Sequence, residues 1–304
     1  MIRTNCAKEY MGYCSFCGRP LLFTEEKTLT TEKCPACSSP IAFVEKGEGE
    51  SGYNVVPNLD GDSFVQGGYT VERGILTGYD KSLSEIVIPE GTLAVGEGLF
   101  KDNRALKKVT LPESLLHILG RAFCGCEGIR TLNLPKSLLT IGNSAFRGCR
   151  RLDRVRLPEG LVAAGYEMFH SCDNLTELLL PMDMKYIGGS PYGFCKRLKV
   201  ANIPHCVREP GPAWFQYNDA IEILTVGRNV GTLPCPSQTL RELHLCHKDG
   251  WREKNTALGG KEEPIPRSAV DKPKAAASLL KKLAASGLQI CRPEIVDLPY
   301  WYVL

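Results

Sequence analysis

The chain has 304 residues, of which 43% are hydrophobic, and a formal net charge of +3. Near-balanced charge gives no general case for nucleic-acid or membrane binding, and no apolar run approaches the roughly 18 residues of a spanning helix. Fourteen cysteines occur in a long chain whose opening, MIRTNCAKEYMGYCSFCGRP, lacks the apolar core of a signal peptide. The expected location is therefore the cytoplasm, where thiols stay reduced and serve metal binding or burial rather than disulfides.

Residues 1–45 hold two C-x2-C pairs, Cys14 with Cys17 in CSFC and Cys34 with Cys37 in CPAC. Each pair bends a tight turn that turns two thiolates toward one cation, and two pairs complete a tetrahedral four-thiolate site. Gly18 suits the tight backbone of the first turn and Pro35 stiffens the second. The segment between them has strand-like residues, so the predicted unit is a zinc ribbon holding one structural Zn2+. Iron in the same four-cysteine site is the alternative that ligand softness and geometry also allow. A segment this short builds little core, and the closed ligand shell leaves no open position for a substrate. Residues 1–50 carry six Lys/Arg against seven Asp/Glu, so the ribbon lacks the basic excess of a phosphate-binding surface.

EKGEGESG, residues 45–52, is rich in Gly and Glu, and residues 46–67 read as a linker. Residues 68–250 are repetitive. Prolines stand at 89, 112, 135, 158, 181 and 204, each step being 23 residues. An aromatic column (Phe100, Phe123, Phe146, Phe169, Tyr192, Phe215), an Asn/Cys column (Asn103, Cys126, Cys149, Cys172, Cys195, Asn218) and an aliphatic column (Leu106, Ile129, Leu152, Leu175, Leu198, Ile221) keep the same step. A fixed period in this range predicts a solenoid. Each repeat has a short alternating stretch, such as LDRVRLP, that predicts one strand with Val155 inward and Arg154 and Arg156 outward. The proline ends the strand because it cannot donate to the ladder, and glycines such as Gly142 and Gly165 are expected to permit tight turns. The Asn/Cys column falls at a turn facing the stack, where a small polar side chain can satisfy buried backbone groups.

The pattern LPxSLxxIGxxAFxxCxxLxxVxLP, clearest over residues 134–158, resembles the BspA-type leucine-rich repeat. YTVERGILTGYDKSLSEIVIPEG, residues 69–91, is similar to the N-terminal capping hairpin that opens such arrays. The resemblance implies a curved, mainly β solenoid of a bacterial protein, used to bind other proteins. In residues 251–304, KAAASLLKKLAASG predicts a helix stopped by Gly287, and PYWYV is expected to help cover the open end.

No catalytic constellation is present, so the expectation is a binding protein and not an enzyme. Residues 130–156 contain seven Lys/Arg and one acid, Asp153. Lys108, Arg154 and Arg156 should project from one exposed sheet face together with Leu179, Val200 and Ile223. That mixture of Arg and apolar residues fits a surface for a protein partner. The rival expectation is a nucleic-acid-associated module in which the ribbon and the basic repeats contact phosphates. No membrane role is expected. HLCH offers His244 and Cys246 as a second metal site, but His244 falls on the outward side and Cys246 in the strand-end slot, so both are expected to be strand residues.

Overall fold

The computed structural model describes residues 9–24, 33–45, 53–227, 229–230, 232–233, 239–246, 252–253 and 289–291. Strand β1 (Glu9–Tyr13) pairs antiparallel with β2 (Pro20–Thr24), and β3 (Ile41–Glu45) with β4 (Tyr53–Pro57). Next come β5 (Phe64–Gln66), β6 (Tyr69–Glu72) and β7 (Ile75–Gly78), an antiparallel meander that caps the repeats. Both β4 and β5 fall inside the stretch read as linker. Only its Gly/Glu-rich start has linker composition; the β-branched Val55 and Val56 extend a hairpin.

Each repeat then contributes two strands. The first set makes up the front sheet in two hydrogen-bonded parts: β8 (Glu85–Val87) with β10 (Lys108–Thr110), and then β12 (Thr131–Asn133), β14 (Arg154–Arg156), β16 (Glu177–Leu178), β18 (Val200–Ile203), β19 (Ile223–Val226), β21 (Glu242–Leu245) and β23 (Gln289–Cys291). The interleaved set is shorter: β9 (Ala94–Val95), β11 (His117–Ile118), β13 (Thr140–Ile141), β15 (Ala163–Ala164) and β17 (Tyr186–Ile187). These join β5 to β7 in a back sheet of eight strands. A single strand per repeat is what alternation predicts; a two-residue strand is too short to show a period, so the back sheet carries no sequence signal of that kind. Strands β20 (Thr232–Leu233) and β22 (Arg252–Glu253) pair separately. The predicted helix and the PYWYV segment lie outside the described residues.

The repeat columns stack as their step requires. Rings of Phe100, Phe123, Phe146 and Phe169 are nearly parallel with centroids 4.9, 5.4 and 5.1 Å apart. That spacing follows the 4.7–4.9 Å between neighbouring strands, and each such pair adds about 1 kcal/mol beyond burial. The carbonyls of Pro112, Pro135, Pro158 and Pro181 each accept from the amide three residues on, closing a turn directly after the front strand. A third ladder runs along the remaining side: the amides of Phe100, Phe123 and Phe146 donate to Ala122, Ala145 and Met168 of the next repeat. It needs left-handed backbone at Asp102, Gly125, Gly148, Ser171, Phe194 and Tyr217, one column at the same 23-residue step. Gly142 and Gly165 are not among the left-handed residues. Their role is close approach instead: a Cβ there would overlap the backbone of Gly120 and Asn143.

Candidate functional site

The two groups of cysteines occupy opposite kinds of environment. Cys126, Cys149, Cys172 and Cys195 are fully buried in the solenoid core. Their thiols donate to the carbonyls of Phe100, Phe123, Phe146 and Phe169, one repeat back, at 3.0, 3.3, 3.3 and 3.1 Å. Asn218 does the same with its amide, Nδ2 to the Tyr192 carbonyl at 2.7 Å. Burial, first of all, pushes the thiols of Cys126 and Cys195 up to about 12. Such thiols have almost no thiolate at neutral pH and are poor nucleophiles and metal ligands. The column is packing, as its alternation of Asn and Cys predicts.

Cys14, Cys17, Cys34 and Cys37 converge instead. All four sulfurs lie within 4.8 Å of one another and all four residues are buried. Cys14 and Cys37 sulfurs are 3.8 Å apart, and those of Cys17 and Cys34 are 3.7 Å apart. A tetrahedron with metal–sulfur bonds of about 2.3 Å has edges of about 3.8 Å, so the sulfurs already stand at the corners of a thiolate cage. Two matching turns hold them there. The Gly18 amide donates to the Cys14 carbonyl at 2.7 Å and the Ser38 amide to the Cys34 carbonyl at 2.8 Å. Gly18 and Ser38 both have left-handed backbone, with φ of 69° and 61°. The Ala36 amide also donates to the Cys34 sulfur. Hydrogen bonding with Cys14 first, and then with Cys34 and Cys37, pushes the Cys17 thiol well up. Hydrogen bonding with Cys14 and Cys17 instead holds Cys34 well down and lowers Cys37 to about 7. Protons are thus shared unequally, because four thiolates this close cannot coexist without a cation between them. Among the described residues this is the one cluster with metal-ligand geometry.

The ribbon does not stand apart. Its cysteines, with Phe16, Leu21, Ile41, Val55 and Leu59, pack in one buried cluster with Ala94, Leu119 and Ala163 of the repeats. Phe16, between the first two cysteines, is fully buried, and its ring lies 4.4 Å from that of His117. Arg19 reaches over the Tyr186 ring. Gly18 presses on Asn143 so closely that a Cβ would overlap the Asn143 amide. Sequence reading singled out Gly18 only for its turn and passed over Phe16, His117 and Leu119. One signal was available: Leu119 breaks a column with glycine at 96, 142, 165 and 188, and a lone large apolar residue there needs cover.

The front sheet carries the predicted partner residues. Lys108, Arg154 and Arg156 are exposed, while Leu179, Val200 and Ile223 are half-buried. Thr131, Arg154, Glu177, Val200 and Ile223 stand in one register across successive strands. Lys108 is register partner to Glu85 on the far edge. Among the described residues no ion pair reaches Lys108, Arg154 or Arg156. By contrast, Arg104 and Arg150 share Glu127, Arg147 pairs with Glu167, and Lys199 with Glu222. A separate cleft of about 420 Å³ opens between Tyr166, Lys185, Cys206, Arg208 and Trp214.

Six copies of the BspA type leucine-rich repeat region are recognised, over residues 78–199 and 118–235. Together these spans take in more than half of the chain. No curated protein matches it. Among solved structures it is similar to a leucine-rich repeat protein of T. pallidum, with 25% identity over 60% of this chain and 88% of that one, and a TM-score of 0.48. A leucine-rich repeat protein of Bacteroides ovatus is 17% identical over 68% of this chain and 70% of its own, with a TM-score of 0.39. A leucine rich cell surface protein of Faecalibacterium prausnitzii is 15% identical over 62% and 83%, with a TM-score of 0.38. With the 23-residue columns and the matched repeats in agreement, the chain belongs to the BspA-type leucine-rich-repeat family.

Proposed function

We propose that this protein is a cytoplasmic interaction scaffold that binds a partner protein through the front sheet and is stabilised by one structural zinc ion in the N-terminal ribbon. The observation that carries the partner reading is a set of exposed cations without an ion pair among the described residues. Lys108, Arg154 and Arg156 project from the front strands, next in register to Glu85 and Glu177, with no ion pair among the described residues, beside the half-buried Leu179, Val200 and Ile223. Their charge is free for an acidic group of the partner, and the apolar residues supply area that loses water on contact. Zinc would be held by Cys14, Cys17, Cys34 and Cys37. When bound it would neutralise thiolate charge and tie the two cysteine turns together, and with all four positions filled by protein it would offer no site for a reaction.

A pull-down comparing wild type with an Arg154→Glu, Arg156→Glu variant tests the surface. Loss of a specific partner with unchanged folding supports it, and recovery of the same partners by both proteins contradicts it. Elemental analysis of the purified chain tests the metal, with one zinc per chain expected. An iron signal would replace zinc in this reading, and no metal would remove it. A steep fall of binding with salt, in a complex that contains nucleic acid, would favour phosphate contacts instead.

A further inference from the structure

We infer that the ribbon is a metal-dependent cover over the back sheet of the solenoid, so that loss of the ion uncovers a second face of the molecule; this rests on the four-cysteine metal reading. The back sheet has two sides. Val95, Ile118, Ile141 and Ala164 belong to the solenoid core. Their neighbours Ala94, His117, Thr140 and Ala163 lie on the opposite side of the same strands and would meet solvent in a bare solenoid. Instead they are 0–2% exposed. His117 Nδ1 lies 2.8 Å from the Thr140 hydroxyl, so two polar groups are satisfied under the cover. Leu119, alone in its glycine column, is 3% exposed there as well.

The covering residues are tied to the ligands. Phe16 sits between Cys14 and Cys17, and Gly18 and Arg19 directly follow Cys17. These are the residues that touch His117, Asn143 and Tyr186. Their placement depends on a turn whose two sulfurs need a cation to stay together as thiolates. Ser15 ties that turn to the second hairpin through a 2.8 Å bond to the Val55 carbonyl. A ribbon with so little core folds largely at the expense of metal binding. The solenoid has its own continuous core and does not share that dependence. Removing the ion should therefore release the cover and leave the repeats intact, exposing the strip that holds Ala94, His117, Leu119, Thr140 and Ala163.

The test is carbethoxylation of histidines in the full-length chain, read residue by residue by mass spectrometry, with zinc content and alkylation of Cys14, Cys17, Cys34 and Cys37 measured on the same samples. His170, on the repeat turns and 8% exposed, is the internal reference. The expected result is a protected His117 in the zinc-loaded protein. After chelation its rate should rise on the order of tenfold or more while His170 stays unchanged, and added zinc should reverse it. If zinc leaves and all four cysteines alkylate while His117 stays protected, the inference is wrong and the metal reading survives. A matching rise at His170 would mean that the whole chain opens, which also overturns it. Absence of zinc at the outset, with the four cysteines freely alkylated, removes the metal reading and this inference with it. A Phe16→Ala variant separates the contact from the ion: it should keep zinc yet lose protection of His117. Retained protection would show that the ribbon is not held by this contact.

Discussion

Two sets of four cysteines lie in one chain and do opposite things. In the repeats, each sulfur meets a carbonyl of the repeat before it, at 3.0–3.3 Å, and never another cation ligand. In the ribbon, the sulfurs meet one another at 3.7 and 3.8 Å. The residue type is the same, and spacing decides the chemistry. Steps of 23 residues in a solenoid spread side chains along the stack, one per layer, whereas two C-x2-C turns gather them at a point.

The largest expected effect breaks the comparison at its root. Cys17→Ser should abolish zinc binding and unfold the ribbon, since structural zinc contributes on the order of 10 kcal/mol to such a unit. Cys149→Ser should retain zinc and cost less than about 1 kcal/mol, because a hydroxyl can donate to the same Phe123 carbonyl. Zinc analysis and urea titration of both variants check this. Equal loss of metal in the two would show that the sets are not distinct.

The next effect concerns the cover. Burial holds the His117 imidazole down to about 4, against about 6.5 when free. The uncovered state takes up the proton first. Docking is therefore at full strength above about pH 6.5 and weakens as pH falls toward 4, at up to about 1.4 kcal/mol per pH unit. The difference in pH dependence between wild type and His117→Gln isolates this contribution from acid loss of the metal. Identical pH profiles for the two proteins would count against it.

Much of this was legible in the chain. The columns from Phe100 to Phe215 and from Asn103 to Asn218 place the front strands, the core and the role of the thiols, because stacking forces equivalent residues into the same environment. The CSFC and CPAC pairs point to the four-cysteine cluster for a local reason, the turn each pair makes. What escaped was non-local or too short. The back strands have two residues each, below any readable alternation. The docked ribbon depends on Phe16 meeting His117, residues a hundred positions apart in sequence with no shared pattern. Gly142 and Gly165 were read as turn formers, although what they provide is room for the neighbouring repeat's backbone.

Smaller effects sharpen the account of the column. Cys149→Ala removes a buried donor and a little volume but leaves the Phe123 carbonyl its second partner, the Cys126 amide. The expected cost is about 1 kcal/mol, read as a shift in the urea midpoint. Ser171 has φ of 60° in a column where Gly125 and Gly148 sit. Ser171→Gly should raise stability by about 0.5 kcal/mol by relieving left-handed strain. A loss there would mean that the 2.8 Å hydrogen bond between the Ser171 hydroxyl and His170 Nδ1 outweighs the strain.

Residue-resolved thiol alkylation of the native protein, before and after chelation, tests the division between the two sets most directly. Before chelation, all eight cysteines should stay silent while the partly exposed Cys124, Cys206 and Cys246 react. After it, Cys14, Cys17, Cys34 and Cys37 should become reactive together, with Cys126, Cys149, Cys172 and Cys195 still silent until the chain is unfolded. Reaction of the repeat cysteines on chelation, or of the ribbon cysteines without it, would contradict the account.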